Sequence, residues 1–285
     1  MVKIISDSTC DLTPEILEKY DITLTPLYIT VEGSEESFRD GVNIQPADVF
    51  RMVDVEKKVC KTAAHNIFDY EEMFAEYSGK YDAVVQICIG QGFSCCYQNA
   101  KIAAAEFDNV YVVDTASLST GSGYLVQDAA IMAKEGKSAE EICAYLEARA
   151  PRMNASFIID RLDYLHKGGR CSLAKLLVTK TLSIKPCIEV ADGAMRVGAK
   201  YRGKFEQVLL KYVKDRLANV DNIDLKRIYI THTSCAPETV KSVIAEIKKY
   251  AEFEEFIETK AGCTISNHCG PNTLGILFMQ KSEYK

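Results

Sequence analysis

Four segments of the chain carry residue types that could do chemistry. The first is 90–100, where two glycines and the hydroxyl of Ser94 follow an apolar run and precede a helical pattern. Backbone N–H groups at the start of a helix attract anions, helped by the helix dipole. The segment therefore predicts a site for a carboxylate or a phosphate. The alternative is that Ser94 only caps the helix.

Two further candidates are Thr62 and His268. Thr62 lies in the short polar segment 61–65 and could donate to the same anion, although a β-branched residue at a strand end is usually just a strand residue. His268 lies in 266–272, which Gly270 and Pro271 predict to be a loop. Loops held by a rigid scaffold often carry binding groups, so His268 is a candidate ligand-binding residue.

The fourth candidate is basic. Arg170 follows two glycines in 167–170, and Arg202 opens a similar Arg-Gly-Lys segment. A guanidinium is suited to bidentate contact with phosphate or with an acidic partner. The alternative for both segments is a solvated basic turn.

The sequence lacks the motifs that are typical of metal binding, ATP binding and serine hydrolases. The histidines show no His-x-x-x-His spacing and the cysteines no Cys-x-x-Cys spacing, so no metal site is predicted. There is no G-x-x-x-x-G-K-[ST] loop, so we do not expect the chain to bind ATP itself. There is also no G-x-S-x-G elbow. A hydrolase or acyltransferase with Ser94 or Cys95 as nucleophile and His268 as base nevertheless stays open as an alternative.

Composition limits the class of protein. The length of 285 residues favours two domains, and 47% apolar with 26% charged residues is typical of a globular chain. A net charge of −6 without a basic cluster argues against nucleic acid as a partner.

No signal peptide or long apolar stretch appears, which predicts a cytoplasmic protein. The 11 cysteines, several inside apolar runs such as those around Cys88 and Cys187, are expected to be reduced and buried.

Short apolar runs alternate with amphipathic stretches, which predicts an α/β fold. Strands are predicted at 2–6, 83–89, 110–113, 155–159, 228–231 and 273–279, with a hairpin of 186–190 and 194–197 around Asp192-Gly193. Helices are predicted at 47–56, 70–77, 93–106, 122–134 and 139–150. Pro151 interrupts the pattern, so we place a domain boundary there, between 1–150 and 151–285.

These residues, together with others, resemble the DegV family in order and spacing along almost the whole chain. The segments that carry the resemblance are 6–12 (Ser-Asp-Ser-Thr-Cys-Asp-Leu), Ser94 with 97–100 (Tyr-Gln-Asn-Ala), 113–115 (Val-Asp-Thr), Gly121, Gly123, 162–170 (Leu-Asp-Tyr-Leu-His-Lys-Gly-Gly-Arg), 184–186 (Ile-Lys-Pro), Asp192-Gly193, 202–204 (Arg-Gly-Lys) and 268–271 (His-Cys-Gly-Pro). The chain departs from the family at Gly90-Gln91 and Cys95-Cys96, beside the anion loop.

The resemblance implies a two-domain α/β fold, each domain a mainly parallel sheet flanked by helices, with a lipid between them. It implies the function of the family as the fatty-acid-binding subunit of bacterial fatty acid kinase. Such a chain has no catalytic residue or cofactor of its own and presents a long-chain fatty acid to an ATP-dependent kinase partner. Transient contact with a membrane would allow lipid exchange. A lipid carrier without a kinase is a further alternative.

The resemblance also assigns roles to residues. Those matching Thr62, Ser94 and His268 hold the fatty-acid carboxylate. Those matching Arg170 and Arg202 serve the kinase partner and phosphoryl transfer. The domain 1–150 is expected to hold most of the acyl-chain pocket, and 151–285 to carry the partner-contact and closing-loop residues.

Overall fold

The chain, described from a computed structural model over residues 1–168 and 184–284, consists of three β-sheets with flanking helices. Its strands are β1 (Val2–Asp7), β2 (Thr23–Thr25), β3 (Tyr28–Val31), β4 (Ser37–Arg39), β5 (Cys60–Ala63), β6 (Ala83–Cys88), β7 (Val110–Asp114), β8 (Met153–Ile158), β9 (Ile184–Ala191), β10 (Ala194–Arg202), β11 (Ile223–Thr233), β12 (Glu255–Lys260) and β13 (Thr273–Gln280). Its helices are α1 (Pro14–Lys19), α2 (Pro46–Asp54), α3 (Ile67–Ser78), α4 (Cys96–Ala104), α5 (Thr120–Lys134), α6 (Ala139–Arg149), α7 (Leu162–Gly168), α8 (Phe205–Arg216), α9 (Pro237–Ile247) and α10 (Cys263–Cys269).

The first sheet is parallel, with strand order β2-β1-β6-β7. Its central strand β6 is buried along its whole length, as expected for a parallel strand covered by helices on both faces. Strand β1 pairs with β2 on one side and with β6 on the other, so the strand order reverses between β1 and β6. In such sheets ligands bind outside the carboxyl ends of the two strands where the order reverses. The fold therefore points to the ends of β1 and β6.

The second sheet has strand order β10-β9-β8-β13-β11-β12 and is mostly antiparallel. Only the β11–β12 pair is parallel. The predicted α/β class is confirmed, but the expectation of a mainly parallel sheet in both domains is wrong for this one. The β9–β10 hairpin, with Asp192 and Gly193 at φ 51° and 69°, reverses the chain at one edge. The last strand, β13, then inserts antiparallel to both of its neighbours.

A third, small antiparallel sheet has the order β4-β3-β5. Its inner side chain Ile29 and the helix residue Cys263 belong to one buried cluster with residues of α2. The small sheet thus covers α10. Helix α10 corrects the prediction of a loop at 266–272, since the helix continues through Cys269 and ends at Gly270, which has φ 74°.

Most other predicted elements are found within a few residues of the expected bounds. Helix α4 is an exception at its start, because it begins at Cys96 rather than at position 93. Cys88 and Cys187 are buried thiols, which confirms their packing role. In the described ranges no helix is both long and apolar enough to cross a bilayer. The boundary at Pro151 stays a prediction.

Candidate functional site

A pocket opens beside the carboxyl end of β6, with about 750 Å³ of empty space including its mouth. Both halves of the chain line the pocket. Most lining residues are apolar: Leu27, Ala63, Ala64, Ile89, Phe93, Cys95, Leu118, Phe157, Leu165, Met195, Ile265 and Cys269. The polar ones are Thr62, Ser94, Thr264 and His268.

Asp7 holds the carboxyl ends of β1 and β6 together. Its side chain accepts hydrogen bonds from Ile89 N at 2.7 Å, from Thr9 N at 3.1 Å and from the Thr9 hydroxyl. Burial raises the pKa of Asp7, and these hydrogen bonds oppose the shift. Ile89 lines the pocket, so Asp7 fixes the point where the wall of the pocket begins.

The loop after β6 is held by close backbone contacts. Gly90 packs against the backbone of Ala116 and Ser117, and a Cβ on Gly92 would lie 2.2 Å from Gly193 O in the β9–β10 turn. Only glycine fits at such an approach. Asp114 accepts further hydrogen bonds from the Gln91 backbone and side chain. The loop thus presents Phe93 and Ser94 to the pocket in a fixed position.

Ser94 stabilises the start of α4 through Cys96. Its Oγ accepts a hydrogen bond from Cys96 N at 3.3 Å and donates to Cys96 Sγ at 3.1 Å. Burial raises the pKa of the Cys96 thiol to about 12. Cys96 therefore remains a neutral thiol at physiological pH. Because a thiol is only a weak acceptor, the Ser94 hydroxyl can rotate and donate to an anion in the pocket instead.

Thr62 and His268 meet across the pocket wall. Thr62 Oγ1 lies 2.9 Å from His268 Nε2, and both residues are half-buried. One helical position away, Asn267 Nδ2 donates to Cys60 O at 3.3 Å. These two contacts attach α10 to β5, so the small sheet and the helix place their polar groups at one point of the pocket.

Two carboxylates hold the other end of α10. Asp40 accepts from Cys263 N at 2.7 Å and Thr264 N at 3.0 Å, and Asp11 accepts from Gly262 N at 2.8 Å. Acceptor oxygens at a helix N-terminus pair N–H groups that have no partner within the helix. Burial raises the pKa of Asp11 to about 8, and the nearby Asp40 and Asp7 add to that shift.

A second cavity adjoins the first. It contains about 330 Å³ of empty space, again including its mouth, and lies against β11 and β13. The two cavities share four lining residues: Leu118, Phe157, Ile265 and Cys269. A long, narrow ligand could therefore extend from the first cavity toward the second sheet.

The structure places Thr62, Ser94 and His268, predicted from distant parts of the sequence, in the wall of the same pocket. Arg202 does not line it; it is exposed at the end of β10. Arg170 lies outside the described residues. The sequence analysis missed Thr264 and Asp40. Thr264 and His268 are four positions apart, a spacing that is typical of one helix face. The prediction of a loop at 266–272 prevented this spacing from being interpreted as helical.

The arrangement suits anion binding better than nucleophilic catalysis. A hydroxyl nucleophile needs a base within hydrogen-bond reach. Over the described ranges, the Ser94 hydroxyl bonds to Cys96, and the bond of His268 Nε2 goes to Thr62. What remains is an apolar pocket with hydroxyl and imidazole groups suited to orient a carboxylate.

Comparison with known proteins assigns the chain to a family. The family model described as "Uncharacterised protein, DegV family" matches residues 1–281. The chain belongs to the DegV family. A DegV domain-containing protein of Caldanaerobacter subterraneus is 31% identical over 284 residues, which cover 98% of this chain and 99% of the relative.

Solved DegV structures share the fold and carry descriptions of what they bind. A structure described as fatty acid binding of a DegV family protein from Thermus thermophilus has a TM-score of 0.89 and 26% identity, covering 98% of this chain and 99% of that one. A protein from Eubacterium ventriosum described as stearic acid-binding has a TM-score of 0.84 and 29% identity, covering 99% of each chain. The predicted two-domain DegV-like fold is thereby confirmed.

Proposed function

We propose that this chain binds one long-chain fatty acid in the pocket, with its carboxylate at Thr62, Ser94 and His268. The observation that carries the proposal is the convergence of these three side chains, from three separate segments, in a wall that is otherwise mostly apolar. The fatty acid binding described for the relative from Thermus thermophilus and the stearic acid binding described for that from Eubacterium ventriosum support the same ligand class.

The acyl tail and the carboxylate are expected to contribute differently to the binding free energy. Burial of about 14 methylenes contributes on the order of 10 kcal/mol before the entropy cost of association. Hydrogen bonds to a charged carboxylate contribute about 1 to 3 kcal/mol each. The apolar wall therefore supplies most of the affinity, and Thr62, Ser94 and His268 orient the carboxylate. The tail can pass Leu118 and Phe157 into the second cavity.

The proposal includes a kinase partner. An ATP-dependent kinase would dock on this chain and phosphorylate the bound carboxylate to an acyl phosphate. The exposed guanidinium of Arg202, with Arg170, would contact the partner or offset charge on the transferred phosphoryl group. The buried thiols Cys88 and Cys187 suit the reducing cytoplasm where such a kinase would act. Fatty acid would be exchanged through transient contact with a membrane.

Native mass spectrometry of the purified protein, followed by extraction and lipid identification, tests the binding proposal. We expect one fatty acid per chain. A protein that is empty and also fails to bind added hexadecanoic acid would contradict it, and would move attention to the departures at Gly90-Gln91 and Cys95-Cys96.

The kinase role is tested separately. With a purified fatty acid kinase catalytic subunit and ATP, the wild type loaded with hexadecanoic acid should support acyl phosphate formation. Arg202→Ala should lower that rate while hexadecanoic acid binding persists, since Arg202 does not line the pocket. Equal rates for wild type and variant would contradict a role for Arg202, and no phosphorylation at all would favour a carrier that works without a kinase.

A further inference from the structure

Thr264 is a buried residue of the pocket wall with an unused hydroxyl. Its side chain lines the first cavity, and the residue is 5% exposed. Within residues 1–168 and 184–284, its Oγ1 has no hydrogen-bond partner. Buried polar groups are normally paired, because an unpaired one loses its hydrogen bonds to water without replacement. An unpaired hydroxyl at a cavity therefore suggests that the ligand supplies the partner.

The position of Thr264 explains why the protein itself does not pair this hydroxyl. In a helix interior a threonine hydroxyl can donate to the carbonyl four residues earlier. Thr264 is the second residue of α10, and the residue four positions earlier, Lys260, belongs to strand β12. The backbone N–H of Thr264 is used by Asp40 at 3.0 Å, which fixes the residue but leaves the side chain without a role.

Thr264 and His268 lie on the same face of α10. Residues four apart on an α-helix are neighbours, and their Cα atoms are separated by about 6 Å along the axis. Both side chains line the first cavity. A fatty acid with its carboxylate at Thr62 and His268 would therefore pass Thr264 with the first part of its chain. A plain acyl chain offers only methylene groups there and would leave the hydroxyl unpaired.

We propose that Thr264 is a specificity residue that hydrogen-bonds a hydroxyl group on the carboxyl-proximal part of the acyl chain. The preferred ligand class is then a hydroxy fatty acid. A hydroxyl can both donate and accept, so it pairs with Thr264 Oγ1 in either direction. This inference rests on the proposed fatty-acid function and refines its ligand.

The test compares hexadecanoic acid with 3-hydroxyhexadecanoic acid by displacement of a fluorescent fatty acid from the full chain. The readout is the ratio of the two dissociation constants. Thr264→Val keeps the shape of the side chain and removes the hydroxyl. We expect the preference for the 3-hydroxy acid to fall about tenfold in this variant, which is the effect of one lost hydrogen bond. Thr62→Val, the same change at the carboxylate, should weaken both acids and leave the ratio unchanged.

The outcomes separate this inference from the proposed function. If both acids bind the wild type and the ratio is the same in Thr264→Val, the inference is overturned while fatty-acid binding stands. If neither acid binds the wild type, both are overturned. A second ligand, 16-hydroxyhexadecanoic acid, carries its hydroxyl at the far end of the chain. A preference for that acid that depends on Thr264 would overturn the placement near the carboxylate.

Discussion

Thr62 Oγ1 and His268 Nε2 lie 2.9 Å apart, and this contact joins β5 to α10 across 206 positions of the sequence. Neither residue alone distinguishes a binding site from an ordinary strand or helix residue. Their contact in the wall of an apolar pocket favours a binding site, because a His268 Nε2–H that donates to Thr62 Oγ1 leaves the Thr62 hydroxyl hydrogen to be donated to a carboxylate. The contact also orients the imidazole before a ligand arrives, which lowers the cost of binding.

Thr62→Val should weaken hexadecanoic acid binding about 5- to 10-fold, because it removes one hydrogen bond to the carboxylate while the side chain keeps its shape. The measurement is a dissociation constant from displacement of a fluorescent fatty acid. Thr30→Val, the same change in β3 of the small sheet, is the matched control and should leave the constant unchanged. Equal affinities for wild type and Thr62→Val would remove Thr62 from the site.

Ser94→Ala should affect both stability and binding. The Ser94 hydroxyl accepts from Cys96 N, and loss of a hydroxyl at the start of a helix costs about 1 kcal/mol of unfolding free energy. Loss of its bond to the carboxylate should weaken hexadecanoic acid binding about fivefold. Ser94→Thr keeps the hydroxyl and is the matched control. Denaturant unfolding and the displacement assay measure the two effects separately.

The same Ser94 variants test the alternative of nucleophilic catalysis. Wild type incubated with a p-nitrophenyl ester should release no p-nitrophenol above the buffer rate. Ester hydrolysis that disappears in Ser94→Ala or Cys95→Ala would instead support a hydrolase or acyltransferase.

The sequence was sufficient to predict β1, β6 and β7 of the first sheet, because each contains a short apolar run, but it did not predict the edge strand β2. It did not predict the small sheet. Strands β3 and β4 contain only 4 and 3 residues, which is too short for an alternation of apolar and polar residues to indicate a strand. The fold of the second sheet depends on where β13 inserts, and that pairing is set by contacts that no local pattern reveals.

The sequence pointed to Thr62, Ser94 and His268 as candidates, but it did not predict the geometry that brings them into one pocket wall. Ser94 carried a local signal, the glycines before a helix. The role of His268 depends on α10, a seven-residue helix whose N-terminus is held by Asp40 from a distant part of the chain. A helix this short is unstable alone and forms only through such tertiary contacts. Local propensity therefore favoured a loop where the structure has a helix.

Asp40→Ala should detach the N-terminus of α10. Asp40 is 4% exposed and accepts from Cys263 N, Thr264 N and Ser8 Oγ. Removing its carboxylate leaves buried donors unpaired, so we expect a loss of about 3 kcal/mol in unfolding free energy and a weaker site for hexadecanoic acid. Asp40→Asn keeps one acceptor oxygen and should lose less. Equal stability of wild type and Asp40→Ala in urea unfolding would show that α10 is held by other contacts.

Asp11 should make stability depend on pH. Its pKa is raised to about 8 by burial, whereas an unfolded Asp titrates near 3.9. Between these values the folded chain keeps a proton that the unfolded chain releases. The contribution of Asp11 to stability is therefore greatest below about pH 4 and is lost as pH rises toward 8, by up to about 1.4 kcal/mol per pH unit.

Asp11→Asn should flatten this dependence, since an amide does not titrate. Urea unfolding at pH 5, 6, 7 and 8 measures it, and the exposed Asp108→Asn is the matched control. If the two variants and wild type show parallel pH profiles, Asp11 does not carry the proton.

Gly92→Ala should disturb the pocket from outside its lining. A Cβ at this position would lie 2.2 Å from Gly193 O, so either the loop that carries Ser94 or the β9–β10 turn must move. Met195, two residues beyond that turn glycine, also lines the pocket. Overpacking of this kind costs about 1–3 kcal/mol. We expect a lower melting temperature and weaker hexadecanoic acid binding. Gly79→Ala, where nothing lies within 4 Å of the added Cβ, should change neither. If Gly92→Ala melts lower yet binds hexadecanoic acid as tightly as wild type, the contact between loop and turn serves stability alone and does not shape the pocket.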